Sequence, residues 1–504
     1  MRRIVRALLP ILVGAFLVGG ILPAASRADS LPRGTPEAQG IASADLLSLV
    51  DALDAHGEAK RADGIHSVMI VRHGRVVLEG WWAPYAAGHR HQLYSLSKSF
   101  TSTAVGIARA EGRLSVDDRV TTFFPEECPA EPSAQLAQMR VADLLRMATG
   151  QQSEPPRIPG QSWVKQFLAH PVPFKPGTHF LYNTPATYMQ SAIVQKVTGE
   201  KLVDYLEPRL FLPLSIESPT WETSPEGICT GGYGLSVRTG DIASFGQLLL
   251  DRGAWNGRQL VEPEWIDAAT SRQVANGSNP NSDWDQGYGY QFWRCRHGAY
   301  RGDGAFGQFC VVLPEQETVV AITSGTRDMQ GVLDILWKHL LPALRPVAIP
   351  EDAEGHRRLQ DRLAALRVPL PGEAPVPAAL ADTTFHFADN DAKLSSVRVE
   401  PAAGDEPATL VLESHGHTQR VPCGRGRWLA SHVAWGGNPP APAAATIGTE
   451  GEACVVRICF VETPFVATLR LEPEGSGVKL GGGTNVGFGP TALPELVGEP
   501  AAGK

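Results

Sequence analysis

Three things are missing from this 504-residue chain, and each removes a class of function. No two of its seven cysteines form a Cys-x-x-Cys pair, so neither a zinc ribbon nor a dithiol redox motif is written into it. No Gly-x-Ser-x-Gly occurs, which argues against the nucleophile elbow of an α/β-hydrolase. Basic charge is also short: 45 Lys and Arg stand against 53 Asp and Glu, a net charge of −8. An acidic chain has no electrostatic reason to seek nucleic acid or anionic lipid. The His89/His91 and His415/His417 triplets lack the nearby acidic partners of a metallohydrolase. No metal or other cofactor is expected.

The N-terminus holds the one long apolar run. Arg2, Arg3 and Arg6 precede apolar residues from Ala7 to Ala25, and small residues lead up to Asp29. That is the layout of a secretory signal peptide over residues 1–28. Its removal takes away four arginines and no acid, leaving the exported chain more acidic still. The expected location is periplasmic or extracellular, without stable membrane insertion once the signal is cleaved. In an oxidising compartment some of the seven cysteines can pair, and an odd count leaves at least one over.

Hydrophobic content of 43% and this length indicate a globular protein of two or three domains. Residues 43–60 read as an amphipathic helix, with Leu46, Leu47, Val50 and Leu53 on one face. "HSVMIVRHGRVVLEGWW" is two β-branched runs around His73-Gly74, a hairpin signal. Helical patterns follow to about residue 275. Strand character then returns in "YGYQFWRC", "GQFCVVLP" and "TVVAITSG", and "GVLDILWKHLLPAL" closes with a helix. Strands at both ends with helices between predict one sheet flanked by a helical region, an α/β (α+β) fold over residues 29–345. Residues 346–382 are a proline-rich linker with a short charged helix. From 383 to 504, short runs such as "SSVRVEPA" and "FVATLRLE" between turns predict an all-β barrel or sandwich.

Ser-x-x-Lys occurs three times: Ser95/Lys98, Ser162/Lys165 and Ser476/Lys479. Ser476 sits in a glycine turn and Ser162 in a segment hemmed in by proline and glycine. Ser95 instead opens a proline-free helical stretch of small residues that can sit deep among other elements. A serine hydroxyl is a poor nucleophile unless a base stands beside it. Residues i and i+3 share a helix face, so the Lys98 amine reaches Ser95, and burial lowers its pKa toward that of a proton acceptor. Ser97 lies on a different face.

The stretch "LYSLSKSFTSTAVGIARAEGRLSVDDRV" resembles the active-site helix of the serine β-lactamase-related superfamily. That group includes class C β-lactamases, D-alanyl-D-alanine carboxypeptidases, family VIII esterases and 6-aminohexanoate-dimer hydrolases. The likeness continues through "VADLLRMATG", "PGTHFLYNTPATYMQSAIVQKVTG", "GGYGLSVRTGDIASFGQLLL" and "GDGAFGQFCVVLPEQETVVAITSG", from about residue 35 to 340. It implies a tyrosine, Tyr182, whose phenolate is stabilised near the lysine and shares the base role, with Thr184 beside the substrate. The departure from the usual Tyr-x-Asn is closer to the 6-aminohexanoate-dimer hydrolase branch. It also implies a site-lining strand at Gly302, Asp303 and Gly304, with the Ser95 and Ala305 amides as oxyanion hole. The family's lysine on that strand is missing and Arg301 is displaced by one, against recognition of a substrate carboxylate. The expectation is an exported serine hydrolase that cleaves a small ester or amide through an acyl-enzyme on Ser95. The alternatives are a D-Ala-D-Ala carboxypeptidase or β-lactamase, or a non-catalytic envelope protein that keeps the fold.

Overall fold

The His73-Gly74 turn shows how local sequence starts the first sheet. Both residues are left-handed, at φ 49° and 71°, the pairing a two-residue hairpin turn needs to match strand twist. It joins β1 (Gly64–Arg72) to β2 (Arg75–Trp81). The computed structural model describes residues 31–57 and 62–501, so the signal-peptide reading over 1–28 lies outside the described residues. The other strands of this sheet come from far along the chain: β3 (Trp293–Arg294), β4 (Tyr300–Gly304), β5 (Gln308–Leu313) and β6 (Thr318–Gly325). Their order is β2-β1-β6-β5-β4-β3, antiparallel throughout.

Helices cover both faces. On one side α1 (Ser43–Asp54) packs Leu46, Leu49, Val50 and Leu53 into the core. It stops at Asp54, short of the expected residue 60, because Gly57 turns the chain at φ 106°. On the other side lie α2 (Ser97–Ala110), α3 (Thr184–Thr198) and α4 (Thr239–Leu250). Every residue of α2 from Ser97 to Ala108 is buried, as its small side chains allow. Two of its hydroxyls show how that burial is offset: Ser99 Oγ donates to Gln291 O at 2.9 Å and Thr101 Oγ1 to Gly231 O at 2.8 Å. Of the expected strand "YGYQFWRC", only β3 forms.

The helix expected inside the linker spans Ala353–Ala364. It is packed rather than free. Leu359 and Leu363 are buried in the core beside α1, and Arg362 pairs with Asp51 and Asp54. Beyond it, ten antiparallel strands between Thr384 and Pro500 form a single sheet. The two outer strands in that order, His417–Cys423 and Leu429–Val433, are joined through Gln419. Its amide donates to Ala434 O at 3.0 Å and accepts from Ala434 N at 3.1 Å. The sheet is therefore a nearly closed barrel, the first of the two expected all-β forms. Ala444, Cys459, Val461 and Val466 of the barrel share a core with Ile65 and Val68 of β1 and Leu363 of the linker helix. All seven cysteines are unpaired. No helix among the described residues is long and apolar enough to cross a membrane.

Candidate active site

Ser95 lies in a turn of 3₁₀-helix, Tyr94–Leu96, that leads directly into α2. Tyr94 just before it is held at φ 48°, a left-handed conformation that non-glycine residues adopt under constraint. Lys98, one turn on, places Nζ 3.0 Å from Ser95 Oγ and donates to Gly232 O at 2.7 Å. Thr184 Oγ1 stands 3.4 Å from the same amine. The lysine is 1% exposed. Burial brings its pKa down to about 7, even though Glu154 and Asp303 oppose the shift. An amine of that pKa is partly neutral at pH 7 and can take a proton.

The other two Ser-x-x-Lys copies are structural. Ser162 caps the helix Trp163–Ala169 and accepts from Lys165 N at 3.2 Å. Lys479 pairs with Glu495 at 2.9 Å on the barrel surface. Ser97, too, is committed elsewhere, accepting from Leu235 N.

The Tyr182 ring centroid is 4.9 Å from Lys98 Nζ, and the nearby Ser95 hydroxyl acts to lower the phenol's pKa. Its ring stacks on Trp293 at 5.3 Å. On that tryptophan sits the Arg301 guanidinium, 5.7 Å from the Trp293 ring and 4.3 Å from Trp284. Burial first, then Asp303, pushes the Tyr182 pKa up, which favours a neutral phenol over the phenolate that the resemblance implies. Asn183 is the N-cap of α3 and donates to Gln151 at 2.7 Å.

β4 passes close beside Ser95. A Cβ on Gly304 would lie 1.9 Å from Leu93 O and 3.1 Å from Ser95 N, so only glycine lets this strand approach. Gly304 thus lies against the Ser95 amide, a donor at the helix start without an intrahelical partner, and Ala305 is the residue that follows it. Gly302 faces Ser99 of α2 and Leu96 of the turn before it; it serves helix-to-strand packing. Arg301 is fully buried and pairs with Asp303 at 2.9 Å. It also donates to Asp283 O at 2.7 Å. Its charge is used inside the protein.

Gly232 O was not readable from sequence, since a carbonyl leaves no side-chain signature. The surrounding "GGYG" was the available sign: a Cβ on Gly232 would meet Thr184 Cγ2 at 2.6 Å and Lys98 Nζ at 3.5 Å. Glu154 and Arg157 were missed as well. Glu154 accepts from Thr184 N at 2.7 Å, and both charges act on Lys98.

A model of the beta-lactamase family matches residues 49–340. The chain belongs to the beta-lactamase family. A 6-aminohexanoate-dimer hydrolase from Paenarthrobacter ureafaciens is 26% identical over 288 residues, 52% of this chain and 72% of that protein. A D-aminopeptidase from Brucella anthropi is 27% identical over 186 residues, 34% of this chain and 36% of that protein. Among solved structures, EstCE1, a hydrolase with promiscuous acyltransferase activity, superposes with a TM-score of 0.50 at 15% identity. It covers 58% of this chain and 99% of its own, and shows the fold alone. The protein is a beta-lactamase-family serine hydrolase.

Proposed function

We propose that this hydrolase cleaves small esters or amides through an acyl-enzyme on Ser95. Ser95 Oγ attacks the carbonyl carbon while neutral Lys98 takes the hydroxyl proton. The oxyanion accepts hydrogen bonds from the Ser95 and Ala305 amides. Collapse expels the alcohol or amine, which leaves with a proton passed from Lys98 through the Tyr182 hydroxyl. Water then attacks the acyl carbon and gives a proton to Lys98, and as the Ser95–acyl bond breaks Lys98 passes that proton to Ser95 Oγ, releasing the acid and restoring the neutral lysine. Thr184 and the Gly302–Gly304 strand border the substrate. The observation that carries this reading is the buried Lys98 amine 3.0 Å from Ser95 Oγ with its pKa brought to about 7.

The 6-aminohexanoate-dimer hydrolase and D-aminopeptidase likenesses favour keeping amides beside esters. Arg301, paired with Asp303 inside the protein, speaks against binding a free substrate carboxylate as a carboxypeptidase or β-lactamase would. Short-chain p-nitrophenyl esters should be hydrolysed, with nitrocefin slow or untouched. An alkyl fluorophosphonate should add one phosphonyl group with loss of fluoride, read by intact mass, and Ser95→Ala should add none. An unlabelled wild type would instead mean a non-catalytic protein. Export belongs to the same proposal: the mature protein should be recovered outside the cytoplasm with Asp29 as its first residue. A chain retaining Met1 in the cytoplasmic fraction would refute it.

A further inference from the structure

Aromatic rings from both ends of the fold meet beside the nucleophile. Tyr94, just before Ser95, meets Phe306 edge-on at 5.6 Å and Phe488 at 5.6 Å. Phe306, just after Ala305, meets Phe488 at 4.8 Å and Phe465 at 5.9 Å. Tyr94 and Phe306 adopt left-handed backbone at φ 48° and 66°, so the two residues flanking the reacting groups are the ones constrained to present their rings here. Phe488 belongs to the barrel, in the connection between Gly477–Thr484 and Leu496–Pro500. It is 78% exposed, the most of any large apolar residue described.

That exposed ring is held in place. At the base of its loop, buried Asn485 donates to Gly325 O at 3.1 Å and to Pro464 O at 2.9 Å, fixing the loop to the end of β6. On the return, Thr491 accepts from Arg327 at 2.7 Å, and Thr484 N donates to Thr491 O at 2.8 Å. A loop tied down on both sides that leaves most of its aromatic tip in water gains little in stability from that tip beyond its two ring contacts. The ring's free face is available to something that arrives.

We propose that Phe488, with Tyr94 and Phe306, forms a substrate subsite for an aryl or alkyl group flanking the scissile carbonyl, so that the barrel sets specificity. The substrate class is an ester or amide with an apolar group on one side of that carbonyl. This rests on the acyl-enzyme reading above.

The test compares kcat/KM in two series. One varies the acyl group of p-nitrophenyl esters, from acetate to hexanoate and phenylacetate; the other varies the alcohol of acetate esters, from ethyl to phenethyl. In Phe488→Ala the bulky-to-small ratio should fall about tenfold in one series, the scale of losing apolar contact in a pocket. Phe488→Trp should keep it, and Val497→Ala, an exposed apolar residue elsewhere on the barrel, should leave it at the wild-type value. Ratios within twofold of wild type in both series would overturn the subsite. If the wild type hydrolyses no ester and takes no fluorophosphonate label, the acyl-enzyme reading fails by itself. The subsite is then read by calorimetric binding of phenethyl acetate to Ser95→Ala protein, where adding Phe488→Ala should weaken affinity about tenfold and equal affinity would overturn it.

Discussion

Three side chains surround Ser95, and their surroundings set the role proposed for each. Lys98 is the group that burial makes neutral near pH 7, and Tyr182 is the one burial keeps protonated. Lys98→Arg should therefore lower kcat on esters by about 100-fold or more, because a guanidinium cannot shed its proton. Arg301 acts at one remove, under the Trp293 ring on which Tyr182 stacks. Arg301→Lys should lower kcat more than it raises KM, as lysine keeps the charge without the flat stacking surface. The pairing of Ser95 with Lys98 was legible in sequence because its helix was free of proline and rich in small residues, while Ser476 sat in a glycine turn and Ser162 in a segment hemmed in by proline and glycine. The proton state of Tyr182 was not, since it depends on Asp303 and on burial that only folding creates.

At the scale of elements, helix α4 contains two glycines with different duties. A Cβ on Gly240 would meet only Met69 Cε at 3.8 Å, whereas on Gly246 it would lie 2.4 Å from Val319 Cγ1 of β6. Gly240→Ala should raise stability by roughly 0.5–1 kcal/mol. Gly246→Ala should lower it by about 1–3 kcal/mol through overpacking of helix on sheet. Urea melts of both variants check the pair. The strands of the first sheet were legible where β-branched residues clustered, as in β1, β5 and β6. Barrel strands such as Ala441–Glu450 were not, because "APAAATIGTE" has little strand propensity and is held by its neighbours on either side.

Across the whole molecule, hydrolase and barrel are joined at a buried histidine pair. His66 Nδ1 and His91 Nε2 are 3.2 Å apart, and His66 stacks on Tyr85 at 3.8 Å. Tyr85 in turn donates to Thr463 O of the barrel at 3.2 Å. Burial holds both histidines below the ordinary value, His91 at about 4. Between about pH 6.5 and 4 the unfolded chain binds protons that this pair refuses. Stability is thus full above about pH 6.5 and lost as pH falls toward 4. The melting temperature should drop over that range, and His91→Gln should shrink the drop. None of this junction was visible in sequence, because its partners lie hundreds of residues apart and meet only when the barrel docks.

The most direct measurement is the rate of Ser95 phosphonylation by a fluorophosphonate as a function of pH. With Lys98 as the base, the rate should rise about tenfold per unit below pH 7, level off above it, and collapse in Lys98→Ala. A rate flat in pH across that range, or unchanged in Lys98→Ala, would contradict Lys98 as the proton acceptor.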